Sequence, residues 1–349
     1  MTVLPKVAFS ELSPASFLVI EKTGRGASQV FRCLTIDSAS DAAVMLIDAL
    51  HLPPDFHIAE LRPYETRERE RKIVLTFAEE VVAAWTAGNI SDFAASRATM
   101  PETLALAGMA RNAFLDKYSR KNLNPFDLDA PGDALREISR SIEWDLFREL
   151  QMRERAVALV RIIFGDNPKA ISPSKIMRSL VDHMPEVDRL MLSASQQRKA
   201  RAGQSFEHHI ERMLSDAAIP FSKQALTSTG KRSDFVLPSL PHLKKAPAGR
   251  AKGLILSAKT TLRERWKQVE REMQQSQLFL ATVDEHVAAN VIEEMDSMGI
   301  HLVVPETLKK SDETEYGRHA NVLSFADFFK IEVQSRMVSW LGYAVNRSR

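Results

Sequence analysis

The chain has a single cysteine, Cys33, among its 349 residues. One thiol excludes an internal disulfide framework and any cysteine-based zinc site, and it fits a reducing compartment. No run approaches the roughly 18 apolar residues of a membrane span, so none is expected. The opening M-T-V-L-P-K lacks the charged-then-apolar layout of a secretion signal, and a cytoplasmic location is the expectation. Residues 1–90 show no internal repeat and no motif. A net charge of +2 says nothing by itself about a partner. Hydrophobic residues at 44% and charged residues at 26% are ordinary for a globular protein. The length predicts about two domains.

Charge is unevenly placed. Residues 196–275 hold 16 Lys/Arg against 7 Asp/Glu, a local balance of +9, which leaves the rest of the chain at −7. A basic segment of this kind is the electrostatic footprint of a phosphate-backbone ligand, or else a solvated charged surface.

Residues 1–90 read as a small α+β module. S-F-L-V-I at 16–20 and Q-V-F-R-C-L-T-I at 29–36 are strand-like, and 42–50 is helix-like before Pro53 and Pro54. For 71–85, periodicity does not decide between strand and helix. Residues 91–125 read as a helical connector. From 131 to 165 runs a helical pattern with Ile138, Ile142, Leu146 and Leu150 at helical spacing, broken by Gly165. Residues 126–349 are expected to form the main domain. Within it, 198–218 is a helix with the stripe Phe206, Ile210, Met213 and Leu214. Strands are predicted at 235–238, 254–259, 278–283 and 301–304, a loop at 238–252 and a helix at 286–298. Leu262, Trp266, Val269 and Met273 give a further helix its apolar face. Alternating strands and helices predict an α/β sandwich.

The chemistry concentrates at S-D-F (233–235) and S-A-K-T-T-L-R-E-R-W-K-Q-V-E-R-E (257–272), which supply Asp234, Lys259 and Glu272. Carboxylates at a sheet edge can hold Mg2+, which lowers the pKa of a bound water and neutralises charge at phosphorus. A lysine can position that water or offset developing negative charge. Each residue has a plain alternative: a turn aspartate, a solvated strand end and an exposed helix glutamate.

The pattern resembles the PD-(D/E)xK nucleases with one departure. The acid expected two residues before Lys259 is replaced by Ser257, and Glu272, thirteen residues after Lys259, is in a position to supply it. That displacement is similar to the CCGG/CCNGG group of Type II restriction endonucleases, and within it to the EcoRII catalytic domain and its SsoII- and PspGI-type relatives. The segments that carry the likeness are R-S-I-E-W-D-L-F (140–147), R-K-A-R-A-G-Q-S-F-E-H-H-I-E (198–211), S-D-F, A-K-T-T-L-R-E-R-W-K-Q (258–268) and G-I-H-L-V-V-P-E-T-L (299–308). The resemblance implies a restriction-endonuclease-like core, a mixed central sheet flanked by helices, covering roughly 120–330.

The resemblance also implies roles. Asp234 and Glu272 would bind Mg2+, Lys259 would act on the water, and Glu207 would support the site, with packing as its alternative. Arg263, Glu264 and Arg265 would read G·C pairs, since arginine can donate to guanine O6 and N7 and glutamate can accept from cytosine N4. Gln196 or Gln197 is a candidate for a minor-groove contact, and Arg198 and Arg201 are further DNA-binding candidates. Arg140 and Trp144, four apart on one helix face, match the pair that stacks a flipped central base; core packing of Trp144 is the alternative. The adjacent His208 and His209 point to different helix faces and are read as structural. Implied partners are double-stranded DNA, a second copy of the chain in a dimer or tetramer, and a cognate DNA methyltransferase. The implied activity is Mg2+-dependent cleavage at a CCNGG or CCWGG site. Alternatives are a modification-dependent or other defence nuclease, and a non-cleaving DNA-binding protein of the same fold.

Overall fold

Leu254–Lys259 is buried along nearly its whole length, and this run organises the computed structural model of the chain. The structure describes residues 16–23, 30–38, 40, 42–43, 46, 50, 52, 63–168, 172–226, 232–245, 253–262, 277–285, 287–312 and 314–345. For 63–74, 194–200 and 341–345 it describes the backbone alone.

Near the N-terminus, β1 (Phe17–Lys22) and β2 (Phe31–Ile36) pair antiparallel, with Phe17 opposite Ile36 and Lys22 opposite Phe31. Helices α1 (Pro63–Thr86), α2 (Ile90–Arg97) and α3 (Thr103–Lys117) follow. The ambiguous stretch 71–85 is therefore helical. Ala110 and Phe114 of α3 pack into the main core, together with Leu123. The pattern from 131 to 165 forms α4 (Pro131–Glu137), a π-helical turn (Ile138–Ile142) and α5 (Glu143–Phe164). Gly165 stops α5 at φ 72°, a left-handed conformation that glycine adopts without a Cβ clash. Next come α6 (Pro173–Asp182), capped by the Ser172 side chain on Lys175 N–H, and α7 (Met184–Asp216), which starts well before the expected 198.

A six-stranded sheet runs in the order β3 (Ser222–Leu226), β4 (Arg232–Leu237), β5 (Leu254–Lys259), β6 (Leu278–Thr282), β7 (Ile300–Val304) and β8 (Val322–Ser324). The pairs β3–β4 and β4–β5 are antiparallel, and β5 to β8 are parallel. This is the expected mixed sheet. The loop expected over 238–252 contains a short helix, α8 (Leu240–Lys245). Ser239 starts it: its carbonyl accepts from Leu243 N–H at 3.0 Å and its hydroxyl from His242 N–H at 3.3 Å.

Successive residues of a strand face opposite sides, and the core divides accordingly. Leu254, Leu256, Ala258, Phe279, Ala281 and Val303 lie in one cluster with the predicted α7 stripe Phe206, Ile210, Met213 and Leu214. Ile255, Leu278, Leu280, Leu302 and Val304 lie in a second, with Ile292 and Met295 of α9 (Ala289–Ser297). Both faces of β5 and β6 are thus covered, which is why their sequences are continuously apolar rather than alternating. Gly132 of α4 sits where a Cβ would lie 2.6 Å from the Phe325 ring and 2.7 Å from Pro305 Cα; only a glycine lets α4 close on this end of the sheet.

Candidate active site

The apolar run of β5 ends at Ser257, Ala258 and Lys259, and the site begins there. The β4–β5 register pairs Phe235 with Leu256 and Val236 with Ile255. Continued by one residue, it sets Asp234 opposite Ser257. Alternation then puts Asp234, Ser257 and Lys259 on the same face of two adjacent strands.

Asp234 is buried, 7% exposed, and its carboxylate is held in place. Its Oδ2 accepts from Ala258 N–H at 2.8 Å and from Lys259 Nζ at 2.9 Å. The ammonium also donates to the Ala258 carbonyl at 3.0 Å. One carboxylate oxygen therefore fixes both the backbone and the side chain at the end of β5. A charged hydrogen bond of this length in a half-buried setting is among the stronger side-chain contacts. Ser257, wholly buried, occupies the position two before the lysine and brings no carboxylate there.

Glu207 reaches the same place from α7. Burial pushes its carboxyl pKa up, and the nearby Asp234 carboxylate pushes it further; Lys259, Lys223 and a hydrogen bond from Gln224 oppose the shift. The Gln224 amide donates to Glu207 Oε2 at 3.1 Å. Gln224 has φ 50°, left-handed, in the edge strand β3. Nothing in S-K-Q-A-L announces that conformation, and sequence reasoning missed it.

These residues suit a divalent cation. Asp234 and Glu207 are oxygen donors, the class that Mg2+ takes. Burial first, and the nearby Asp234 carboxylate second, raise the pKa of the half-buried Glu207, and a cation held beside both carboxylates would act against that second effect. Among the described residues no group of three or more His, Cys, Asp or Glu converges on one point. Glu272 lies outside the described residues, as do Arg263, Glu264 and Arg265 and the side chains of Gln196, Gln197 and Arg198.

Arg140 and Trp144 have different surroundings. The Arg140 guanidinium donates to the Thr260 carbonyl at 3.5 Å, one residue past Lys259, and lies 4.0 Å from Glu285. Trp144 stacks on Phe147 with centroids 6.1 Å apart, beside the buried Met100 and Leu106. Arg201 donates to the Pro101 carbonyl at 2.6 Å and ties α7 to the start of α3.

Two supports escaped the sequence reading. Glu143, Ser205 and His209 form a buried network: the Glu143 carboxylate accepts from Ser205 Oγ and lies 2.6 Å from His209 Nε2. It joins α5 to α7 on either side of Glu207. His208, in contrast, lies 3.3 Å from Glu211 at a half-buried position. The second is an acidic pair after β6. Asp284 Oδ2 accepts from Leu262 N–H at 2.8 Å, and Glu285 Oε1 accepts from Arg136 at 2.5 and 2.8 Å. Carboxylates placed directly after a buried strand were the available signal.

Known proteins resemble this chain in sequence and fold. Residues 167–329 match the protein family described as EcoRII C terminal. The Type II restriction enzyme SsoII of Shigella sonnei is 27% identical over 225 residues, which cover 61% of this chain and 71% of that protein. The Type II restriction enzyme EcoRII of Escherichia coli is 34% identical over 139 residues, 39% of this chain; the matched part is 34% of that enzyme's length. A solved structure of metal-depleted Ecl18kI in complex with uncleaved, modified DNA superposes with a TM-score of 0.56 at 26% identity, covering 73% of this chain and 83% of the other. A second Ecl18kI structure, with uncleaved DNA, shares the fold at a TM-score of 0.53 and 24% identity, covering 77% and 86%. Residues 167–329 thus resemble the EcoRII C-terminal family, and the chain is similar to the Type II restriction enzymes SsoII and EcoRII.

Proposed function

We propose that this chain cleaves double-stranded DNA at a CCNGG or CCWGG site by Mg2+-dependent phosphodiester hydrolysis. The observation that carries the reading is the buried Asp234 carboxylate on Lys259, 2.9 Å apart on neighbouring strands, with Glu207 within electrostatic reach. The DNA bound in the Ecl18kI structures supports the substrate class.

Asp234 and Glu272 would hold the metal, with Glu207 supporting them. When bound, Mg2+ supplies a water of lowered pKa and charge neutralisation at the phosphate. Lys259, pinned by Asp234 and the Ala258 carbonyl, presents a fixed ammonium. It orients the attacking water and offsets negative charge as the phosphorus centre becomes pentacoordinate. Arg263, Glu264 and Arg265 read the G·C pairs. Arg140 and Trp144 hold the central base outside the duplex, stacking returning the few kcal/mol that unstacking costs. Two copies act on the two-fold symmetric site, a methyltransferase of the same specificity protects host DNA, and the enzyme works in the cytoplasm. Residues 1–90 form an accessory module on the domain of residues 126–349, joined by 91–125.

Digestion of a plasmid of known sequence, with Mg2+ and with EDTA, tests the reading when the new ends are mapped by run-off sequencing. Discrete ends at CCNGG sites, absent in EDTA, are expected. Intact plasmid would refute cleavage, and ends at CCGG without a central base would refute the site and the flipped base together.

A further inference from the structure

The turn that follows Lys259 is gripped from two sides by the acidic pair after β6. Asp284 Oδ2 takes the Leu262 N–H directly at 2.8 Å. Glu285 acts through arginine: Oε1 accepts from Arg136 Nε at 2.8 Å and Nη2 at 2.5 Å, and lies 4.0 Å from Arg140 Nη1. Arg140 Nη2 in turn reaches the Thr260 carbonyl at 3.5 Å. Asp284 is 8% exposed and Glu285 3%. The Tyr316 hydroxyl donates to the Asp284 carbonyl, and burial holds that phenol well above its ordinary pKa, so it stays a donor.

A three-residue turn does not need two buried carboxylates to fold. Burying each costs solvation free energy, and hydrogen bonds and charge partners must offset it. What the arrangement achieves is a fixed carbonyl at Thr260 and a fixed amide at Leu262. The first of these adjoins the lysine that pairs with Asp234; the second is the last described residue before Arg263. We propose that Asp284 and Glu285 are positioning residues for the hydrolysis. They hold the turn 260–262, Asp284 directly and Glu285 through Arg136 and Arg140, and so fix where the Lys259 ammonium stands. The inference rests on the proposed nuclease reading. It adds a connection: Arg140, assigned to the central base, touches the backbone next to Lys259, so occupancy of the DNA and placement of the lysine are linked through one guanidinium.

Glu285→Gln removes the charge that gathers the two arginines while keeping the side chain's size. Misplacing a catalytic group by about 1 Å costs roughly 100-fold in rate, and a partial loosening should lower the rate constant by at least about tenfold. The assay is single-turnover cleavage of an oligoduplex carrying the mapped site, with enzyme in excess and Mg2+. Rate constant and amplitude are read separately, and affinity for the same duplex is measured in EDTA. A positioning role lowers the rate constant while amplitude and affinity stay near wild type. A merely structural role lowers the amplitude and leaves the rate constant of the surviving enzyme unchanged, which would overturn the proposal. If Glu285→Gln does not fold, Arg136→Met serves instead: its half-buried head carries the same link, and the rate constant must fall in the same direction. Asp234→Ala is run beside them. An inactive Asp234→Ala with a wild-type rate in Glu285→Gln or Arg136→Met refutes the positioning role alone. A fully active Asp234→Ala refutes the active site, and the inference with it.

Discussion

Replacing Glu143 by alanine should remove about 2–4 kcal/mol of stability, the range for leaving two buried hydrogen-bonding groups without their acceptor. The size follows from what the carboxylate holds. It accepts from Ser205 Oγ, with Oε2 at 2.5 Å, and faces His209 Nε2 at 2.6 Å, and all three residues are buried. His209 Nδ1 lies 3.4 Å from Arg111 Nη1, and a guanidinium only donates. Nδ1 is therefore the acceptor and Nε2 carries the proton that Glu143 takes. Burial lowers the His209 pKa, so the ring is neutral near pH 7. Alanine leaves the Ser205 hydroxyl and the His209 N–H only each other, 3.5 Å apart, at a cost of up to about 1–3 kcal/mol each, and the carboxylate's recovered solvation offsets part of that. Glu143→Gln should be only a partial repair. Its amide oxygen can take the Oε2 place and accept from Ser205 Oγ and His209 Nε2, but without the carboxylate's charge these bonds weaken, leaving a loss of about 1–3 kcal/mol. Urea unfolding of the metal-free protein, followed by tryptophan fluorescence, measures both. Losses within about 0.5 kcal/mol, the size of an ordinary surface change, would refute the network.

The same ring sets a pH dependence. Because the folded pKa of His209 is lowered, the unfolded chain binds the extra proton first, and stability falls as pH drops below about 6.5. His209→Gln should flatten that slope in urea titrations between pH 7 and 5; an unchanged slope contradicts it. Arg263→Ala or Arg265→Ala should cost about 1–3 kcal/mol in binding per lost bidentate contact. The loss should appear on cognate DNA and not on random-sequence DNA, and equal losses on both would make them phosphate contacts. For Trp144, 2-aminopurine at the centre of the site should report unstacking on binding, and Trp144→Ala should alter that signal. A loss of roughly 3–5 kcal/mol of stability with the signal unchanged would make it a core residue.

How much of this was legible in the sequence differs by element. The β5 run and the α7 stripe were plain because burial on both faces of a strand, or on one face of a helix, leaves a periodic trace. Gly165 marked its helix end. Asp234 and Lys259 emerged from a motif because their partnership is set by strand order. The short helix α8 was hidden in a Pro- and Lys-rich stretch, since Ser239 supplies its start and no hydrophobic period spans six residues. Gln224 was invisible, because a single left-handed residue in a strand has no pattern. The Arg136–Glu285 pair joins residues 149 apart, and the Glu143–His209 pair residues 66 apart. Contacts of that span leave no local signature in one sequence, although they hold the elements that carry the site.

The central claim is that Asp234 and Lys259 carry out DNA hydrolysis with Mg2+. Its most direct test compares the wild-type chain with Asp234→Ala and Lys259→Ala on one oligoduplex, measuring cleavage in Mg2+ and specific binding in EDTA. The account predicts that both variants bind the duplex about as well as wild type and do not cut it. Cleavage by either variant at near wild-type rate would contradict it.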